Sequence, residues 1–178
     1  MEKNLYFLGL QPPEDLSEVI TAMKEDMAER YGSRHALRVP PHVTLVPPVR
    51  AVGEMDALRE LLPGFAAGVR QPQLELDGFG YFSHARDRVI YISVKPAMAL
   101  EELAGKTFEL AGSVLALPAA ADRRQFRPHI TLAHRDLTAA AFHRAWPAYR
   151  DRVFQATAPA AGITLVAQDG TRWQASGY

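Results

Sequence analysis

One five-residue pattern occurs twice in this chain. Pro41-His42-Val43-Thr44-Leu45 returns as Pro128-His129-Ile130-Thr131-Leu132, 87 residues later, about half the chain away. Four of the five positions are identical, and the fifth is β-branched in both copies. β-Branched residues favour strands, and a sheet accepts proline at the first position of a strand. Each copy therefore predicts a strand that starts beside its proline. Side chains alternate along a strand, so His42 and Thr44 share one face, roughly 7 Å apart at the backbone, as do His129 and Thr131. Val43, Leu45, Ile130 and Leu132 face the other way, toward a core. If the two halves pack about a pseudo-twofold axis, two imidazoles face each other across a groove, flanked by two hydroxyls.

The rest of the chain reads as alternating short helices and strands. Leu5 and Phe7 mark a first strand, ended by Gln11-Pro12-Pro13. Pro13, Glu14 and Asp15 suit a helix start. Leu16, Val19, Ile20, Met23 and Met27 then recur at helical spacing up to Gly32. Leu37 to Val46 reads as extended, interrupted by Pro40-Pro41. A helix is predicted over Glu54 to Leu62, ended by Pro63-Gly64. Leu74 to Phe82 and Val89 to Val94 read as two strands joined by a polar turn. A third helix covers Leu100 to Leu115, and Arg127 to His134 is extended. Thr138 caps a short helix through Trp146, stopped by Pro147. Val153–Thr157, Ile163–Ala167 and Thr171–Gln174 finish the chain as strands. This irregular alternation, with several hairpins, predicts an α+β fold with mostly antiparallel sheet.

Composition narrows the chemistry. At 178 residues and 48% hydrophobic, the chain is long enough for one domain over 1–178 with an ordinary core. It has no cysteine, which excludes disulfides, thiol nucleophiles, iron–sulfur clusters and Cys-ligated zinc. The 20 cations balance the 20 anions, which argues against a broad basic surface that coats nucleic acid, though not against a small basic cleft. No apolar run reaches the ~20 residues of a membrane span, and Leu5 to Leu10 is too short for a signal-peptide core. The expectation is a cytoplasmic monomer with no membrane partner.

Two facing imidazoles and two hydroxyls suit phosphoester chemistry. Attack on phosphorus needs a base for the nucleophile and an acid for the leaving oxygen, and histidine titrates near neutrality in either role. Threonine hydroxyls can hold the non-bridging oxygens, where charge gathers. A lone His-x-Thr in a strand is usually incidental, but a matched pair with the same flanks is not. Zinc is the alternative, and it wants three or four ligands at close quarters. Neither copy has a nearby second ligand of the His-x-His type and threonine is a poor ligand, so no metal and no cofactor are expected.

These residues resemble the two-histidine phosphoesterase superfamily, whose signature is a pair of His-x-Thr-x motifs in pseudo-symmetric halves. Phe126-Arg127-Pro128-His129-Ile130-Thr131-Leu132 is similar to the second motif of the branch that contains 2′-5′ RNA ligases and RNA 2′,3′-cyclic phosphodiesterases. After the first motif the chain departs from many of these relatives, with Val46-Pro47-Pro48 in place of a Phe-Leu-Gly run. The resemblance implies a bilobal α+β fold around a central groove with helices outside, and metal-independent opening of cyclic phosphates. It makes His42 and His129 the acid–base pair, His42 as acid and His129 as base, with Thr44 and Thr131 holding the phosphate. The implied substrates are RNA ends or small cyclic nucleotides bearing 2′,3′-cyclic phosphate. The other readings are 2′-5′ ligation of RNA, hydrolysis of another cyclic or 2′-5′-linked nucleotide, and a non-catalytic RNA-binding module of the same fold.

Further candidates surround the repeat. Arg127, two residues before His129, can reach a phosphate if Pro128 does not break the alternation. Arg123, Arg124, Arg34 and Arg38 either attract a backbone or lie in solvated loops. Among Phe79, Tyr81 and Phe82, an aromatic at the groove edge can stack on a base. The resemblance favours Phe82. His35, His84, His134 and His143 read as structural or surface residues, with His134 on the face opposite His129. Trp146 and Trp173 read as packing residues.

Overall fold

The computed structural model describes residues 4–51, 55–83, 88–115, 117, 126–169 and 172–178. The strands are β1 (Asn4–Gln11), β2 (Val43–Ala51), β3 (Gln73–Ser83), β4 (Arg88–Val94), β5 (His129–Ala133), β6 (Gln155–Pro159), β7 (Gly162–Asp169) and β8 (Arg172–Gly177). The α-helices are α1 (Glu14–Tyr31), α2 (Met55–Gly68), α3 (Met98–Val114) and α4 (Ala139–Arg150). All strands join one antiparallel sheet in the order β6-β3-β4-β5-β2-β1-β7-β8. The two strands that carry the repeat, β2 and β5, are therefore its central neighbours. Four strands lie on each side of that seam as two halves, matching the α+β, pseudo-symmetric fold expected. Among the described residues the seam holds one bridge pair, Val43 with Ile130.

One face of the sheet forms the core. Leu8, Leu10, Val43, Ile90, Ile92, Ile130 and Leu132 are buried there at 0–1% exposure. Helices α1 and α4 pack on the β3–β5 half, and α3, backed by α2, packs on β2. Helix α1 supplies Leu16, Ile20, Met23, Met27 and Tyr31, all buried. Val19 falls off this stripe and is 46% exposed. The helix ends at Gly32, whose φ of 77° is a left-handed conformation that glycine adopts without steric cost.

Three expectations about element limits change. Residues His35–Arg38 form a 3-10 turn, so the extended stretch begins only after it. Asp136 holds this turn, its carboxylate accepting from Ser33 Oγ and from the N–H groups of Arg34 and His35 at 2.8–2.9 Å. Helix α2 continues through Pro63 to Gly68, and α4 continues through Pro147 to Arg150. Both prolines are exposed, on the side where carbonyls can tilt toward water. In each helix the turn beyond the proline packs on the core, through Phe65 in α2 and Tyr149 in α4. Tyr149 is 1% exposed and its hydroxyl donates to Asp26 at 2.8 Å.

Candidate active site

The seam register builds the site. Antiparallel pairing at Val43–Ile130 sets Thr44 of β2 opposite His129, and Thr131 of β5 opposite His42. Each imidazole thus stands across from the hydroxyl of the other copy. Val43 and Ile130 are fully buried while His42, Thr44, His129 and Thr131 are partly exposed, so the alternation turns all four toward the open face.

Both rings are held in the same way. Nδ1 of His42 lies 2.8 Å from the Pro40 carbonyl, and Nδ1 of His129 lies 2.7 Å from the Arg127 carbonyl. A carbonyl only accepts, so each Nδ1 carries the proton and the neutral ring presents a bare Nε2. Both carbonyls lie two residues before their histidine, across an intervening proline.

Aromatic rings back each imidazole in parallel arrangements. Phe7 packs on His42 with centroids 4.6 Å apart, and Trp173 packs on Phe7 at 5.6 Å. Tyr91 packs on His129 at 5.0 Å, and Phe82 packs on Tyr91 at 4.5 Å and edge-on to His129 at 5.1 Å. The outer neighbours β1 and β4 supply Phe7 and Tyr91. Gly9 makes the close approach on the first side possible, because a Cβ there would stand 2.9 Å from the His42 Cβ. Gly80 does the same for Tyr91, whose ring would lie 2.6 Å from such a Cβ.

Two cavities meet at Thr44. One, of about 230 Å³, is lined by His42, Thr44 and Thr131 together with Phe7, Trp173, Lys24, His35, His134 and Arg135. The other, of about 400 Å³, is lined by Thr44, His129, Arg127, Phe82 and Phe126. Arg127 and Phe82 thus line the same cavity as His129. Phe79 and Tyr81 instead lie on the helix-covered side and pack on α4, Phe79 against Tyr149 at 5.1 Å and the exposed Tyr81 against Trp146 at 4.8 Å. Arg34 and Arg38 are exposed and line neither cavity. His143 is exposed on α4, while Arg123, Arg124 and His84 lie outside the described residues.

The facing of His134 is a correction, whereas Trp173 packs on Phe7 as a packing residue does. A register shift between Ile90 and Tyr91 pairs Ile90 with Ala133 and Tyr91 with Thr131. Leu132 and Ala133 consequently both turn into the core, at 0% exposure, and His134 returns to the face of His129 and Thr131. The His35 ring meets it edge-on at 4.9 Å. Lys24 was not singled out by the sequence, because it sits on the buried stripe of α1. It is 2% exposed, and its Nζ donates to the carbonyls of Ala36 and Val39 at 3.2 and 3.1 Å.

Burial dominates the electrostatics. It pushes His42 down to about 4, opposed by the hydrogen bond to Pro40 and reinforced by the positive charges of Lys24 and His129. Burial also lowers His129, against the hydrogen bond to Arg127. Burial lowers Lys24 to about 8. No group of three or more His, Asp or Glu side chains suited to a metal ion occurs among the described residues.

A sheet divided into two halves, each presenting a His and a Thr at the seam, defines the two-histidine phosphoesterase class of fold. The chain belongs to the 2′-5′ RNA ligase superfamily, whose model matches residues 12–172. It is 30% identical over 142 residues to the RNA 2′,3′-cyclic phosphodiesterase of Geobacillus stearothermophilus. That match covers 76% of this chain but only 43% of the relative's length. Its fold resembles E. coli LigT in complex with 3′-AMP, with a TM-score of 0.64 and 22% identity over 99% of this chain and 96% of that one. A Thermus thermophilus protein, TT0787, superposes with a TM-score of 0.66 and 22% identity, covering 97% and 94% of the two chains. Among the described residues no helix is long and apolar enough to cross a membrane.

Proposed function

We propose that this protein is a metal-independent phosphodiesterase that opens 2′,3′-cyclic phosphates on RNA ends or small nucleotides. The observation that carries the reading is the seam: two imidazoles with the same Nδ1 anchor, each across from the other copy's threonine. The name of the Geobacillus stearothermophilus relative favours the same substrate class. The nucleoside sits in the cavity beside His42, against Trp173 and Phe7, and water enters on the His129 side. Nε2 of His129 takes a proton from the water as it attacks phosphorus. Protonated His42 gives its Nε2 proton to the departing 3′-oxygen, leaving a 2′-phosphate. Thr44 and Thr131 donate to the non-bridging oxygens, and Arg127 offers further positive charge. Each Nδ1–H stays on its backbone carbonyl throughout, so ring orientation is fixed while Nε2 works.

The test is turnover of a nucleoside 2′,3′-cyclic phosphate. His42→Ala and His129→Ala should each lower kcat by about 10²–10⁴, the usual contribution of a positioned acid or base. A chelator should leave the wild-type rate unchanged. Wild-type rates in both variants would reject the scheme, and loss of activity with chelator would transfer it to a metal. The second cavity, lined by Phe82, Phe126 and Arg127, also has the lining for a second nucleoside. The reverse reaction with a 5′-hydroxyl end, read by product linkage, separates ligation from hydrolysis.

A further inference from the structure

The cavity beside His42 has two unlike ends. Phe7 and Trp173 make one apolar, while Lys24, His35, His134 and Arg135 supply the other. Among the described residues no carboxylate lines it. Lys24 is buried with two of its three N–H donors on backbone carbonyls, and among the described residues no carboxylate pairs with it. A buried ammonium without a counterion is costly and is normally answered by a negative group. Asp136, which adjoins Arg135 in sequence, is already committed to the 3-10 turn through three hydrogen bonds.

Arg135 adds an independent sign. Its φ of 54° is the one positive value at a non-glycine among the described residues. Such strain persists where the surroundings impose it, often at binding sites. Here it follows the irregularity in β5 that also turns His134 to the cavity. The result is a planar guanidinium, an ammonium and two imidazoles around one space, a donor set suited to the oxygens of a phosphate monoester.

We propose that this basic end is a subsite for a second phosphate of the substrate, a monoester carried by the same nucleoside away from the reacting phosphorus. The inference rests on the reading of the site as a cyclic phosphodiesterase. It goes further by making a 5′-phosphorylated nucleotide the preferred substrate over a 5′-hydroxyl one. A 5′-hydroxyl ligand leaves the Lys24 charge unanswered. A 5′-phosphate meets it, together with the Arg135 fork and the two imidazoles.

The probes are adenosine 2′-monophosphate and adenosine 2′,5′-bisphosphate, product-like ligands whose binding needs no turnover. Calorimetry on the full chain should give a Kd about tenfold or more tighter for the bisphosphate, the effect of at least one charge-assisted hydrogen bond. In Arg135→Gly and His134→Asn that ratio should fall to within about threefold of unity. Glycine suits the left-handed backbone at 135, so Arg135→Gly should melt no lower than wild type, and its lost discrimination then cannot reflect unfolding. Equal wild-type affinities would overturn the proposal, as would a ratio untouched in both variants. The same ratio should appear in kcat/KM for adenosine 2′,3′-cyclic phosphate with and without a 5′-phosphate. If neither is turned over while the Kd ratio holds, the hydrolase reading fails and the subsite stands. If both are turned over equally and bind equally, the subsite alone fails.

Discussion

In the free protein both imidazoles are driven toward their neutral forms. That suits a base but works against an acid, and the conflict has a measurable consequence. With His42 as acid, the competent species has His42 protonated and His129 neutral. Burial holds His42 at about 4 and keeps His129 below its ordinary 6.5. Above both values the competent fraction falls about tenfold per pH unit, because protonated His42 becomes scarce. The profile of kcat/KM, which reports the free protein, should therefore be bell-shaped with its maximum between about pH 4 and 6.5. A bound phosphate anion favours imidazolium beside it, so the maximum of kcat should lie at higher pH. Paired pH–rate profiles check this, and a kcat/KM maximum at pH 7.5 would contradict it. The residues behind this behaviour were unequally legible. His42, Thr44, His129 and Thr131 announce themselves through repetition, but Lys24 looks like one more charge in an amphipathic helix. Its placement depends on the turn His35–Arg38 and the residue after it, since it reaches the Ala36 and Val39 carbonyls only after folding.

At the level of elements, local rules failed where tertiary packing outweighed them. Proline in a helix interior costs about 3 kcal/mol, which is why Pro63 and Pro147 read as stops. Burial of Tyr149 and its bond to Asp26 lie beyond Pro147 and favour the extra turn. The start of the same helix obeyed its rule. Thr138 accepts a hydrogen bond from the Ala141 N–H at 3.2 Å, as an N-cap should. Thr138→Ala should cost about 1 kcal/mol of folding stability, read from the urea midpoint, with no change in m. An unchanged midpoint would mean that packing alone holds α4. The phase of β5 was the less visible error. Alternation assigned His134 to the core side, and nothing in the local sequence marks the extra residue that resets it. Phe82, which only the resemblance singles out, lies on the open face because β3 keeps its period of two from Phe79 onward.

Across the whole molecule, the buried histidines couple folding to pH. His42 and His134 both sit at about 4, whereas an unfolded chain titrates near 6.5. Between those values the unfolded state binds more protons, so stability is complete above about pH 6.5 and is lost as pH falls toward 4. Each pKa unit is worth about 1.4 kcal/mol, which makes the His42 contribution on the order of 3 kcal/mol. Urea melts at pH 7.5, 6 and 5 should show a falling midpoint, shallower in His134→Asn. A flat midpoint in wild type would refute the coupling. The bilateral plan of the molecule was legible from its repeat, since two copies half a chain apart need two equivalent settings. The way they join was not. Among the described residues one strand-to-strand bridge, between Val43 and Ile130, joins the halves of the sheet, so the apolar side chains that interlock beneath it help set the span between the two imidazoles. A substitution that merely shaves volume from that layer would retune reach across the cleft without touching any reacting atom, giving natural variation a route to new substrates through the hydrocarbon interior.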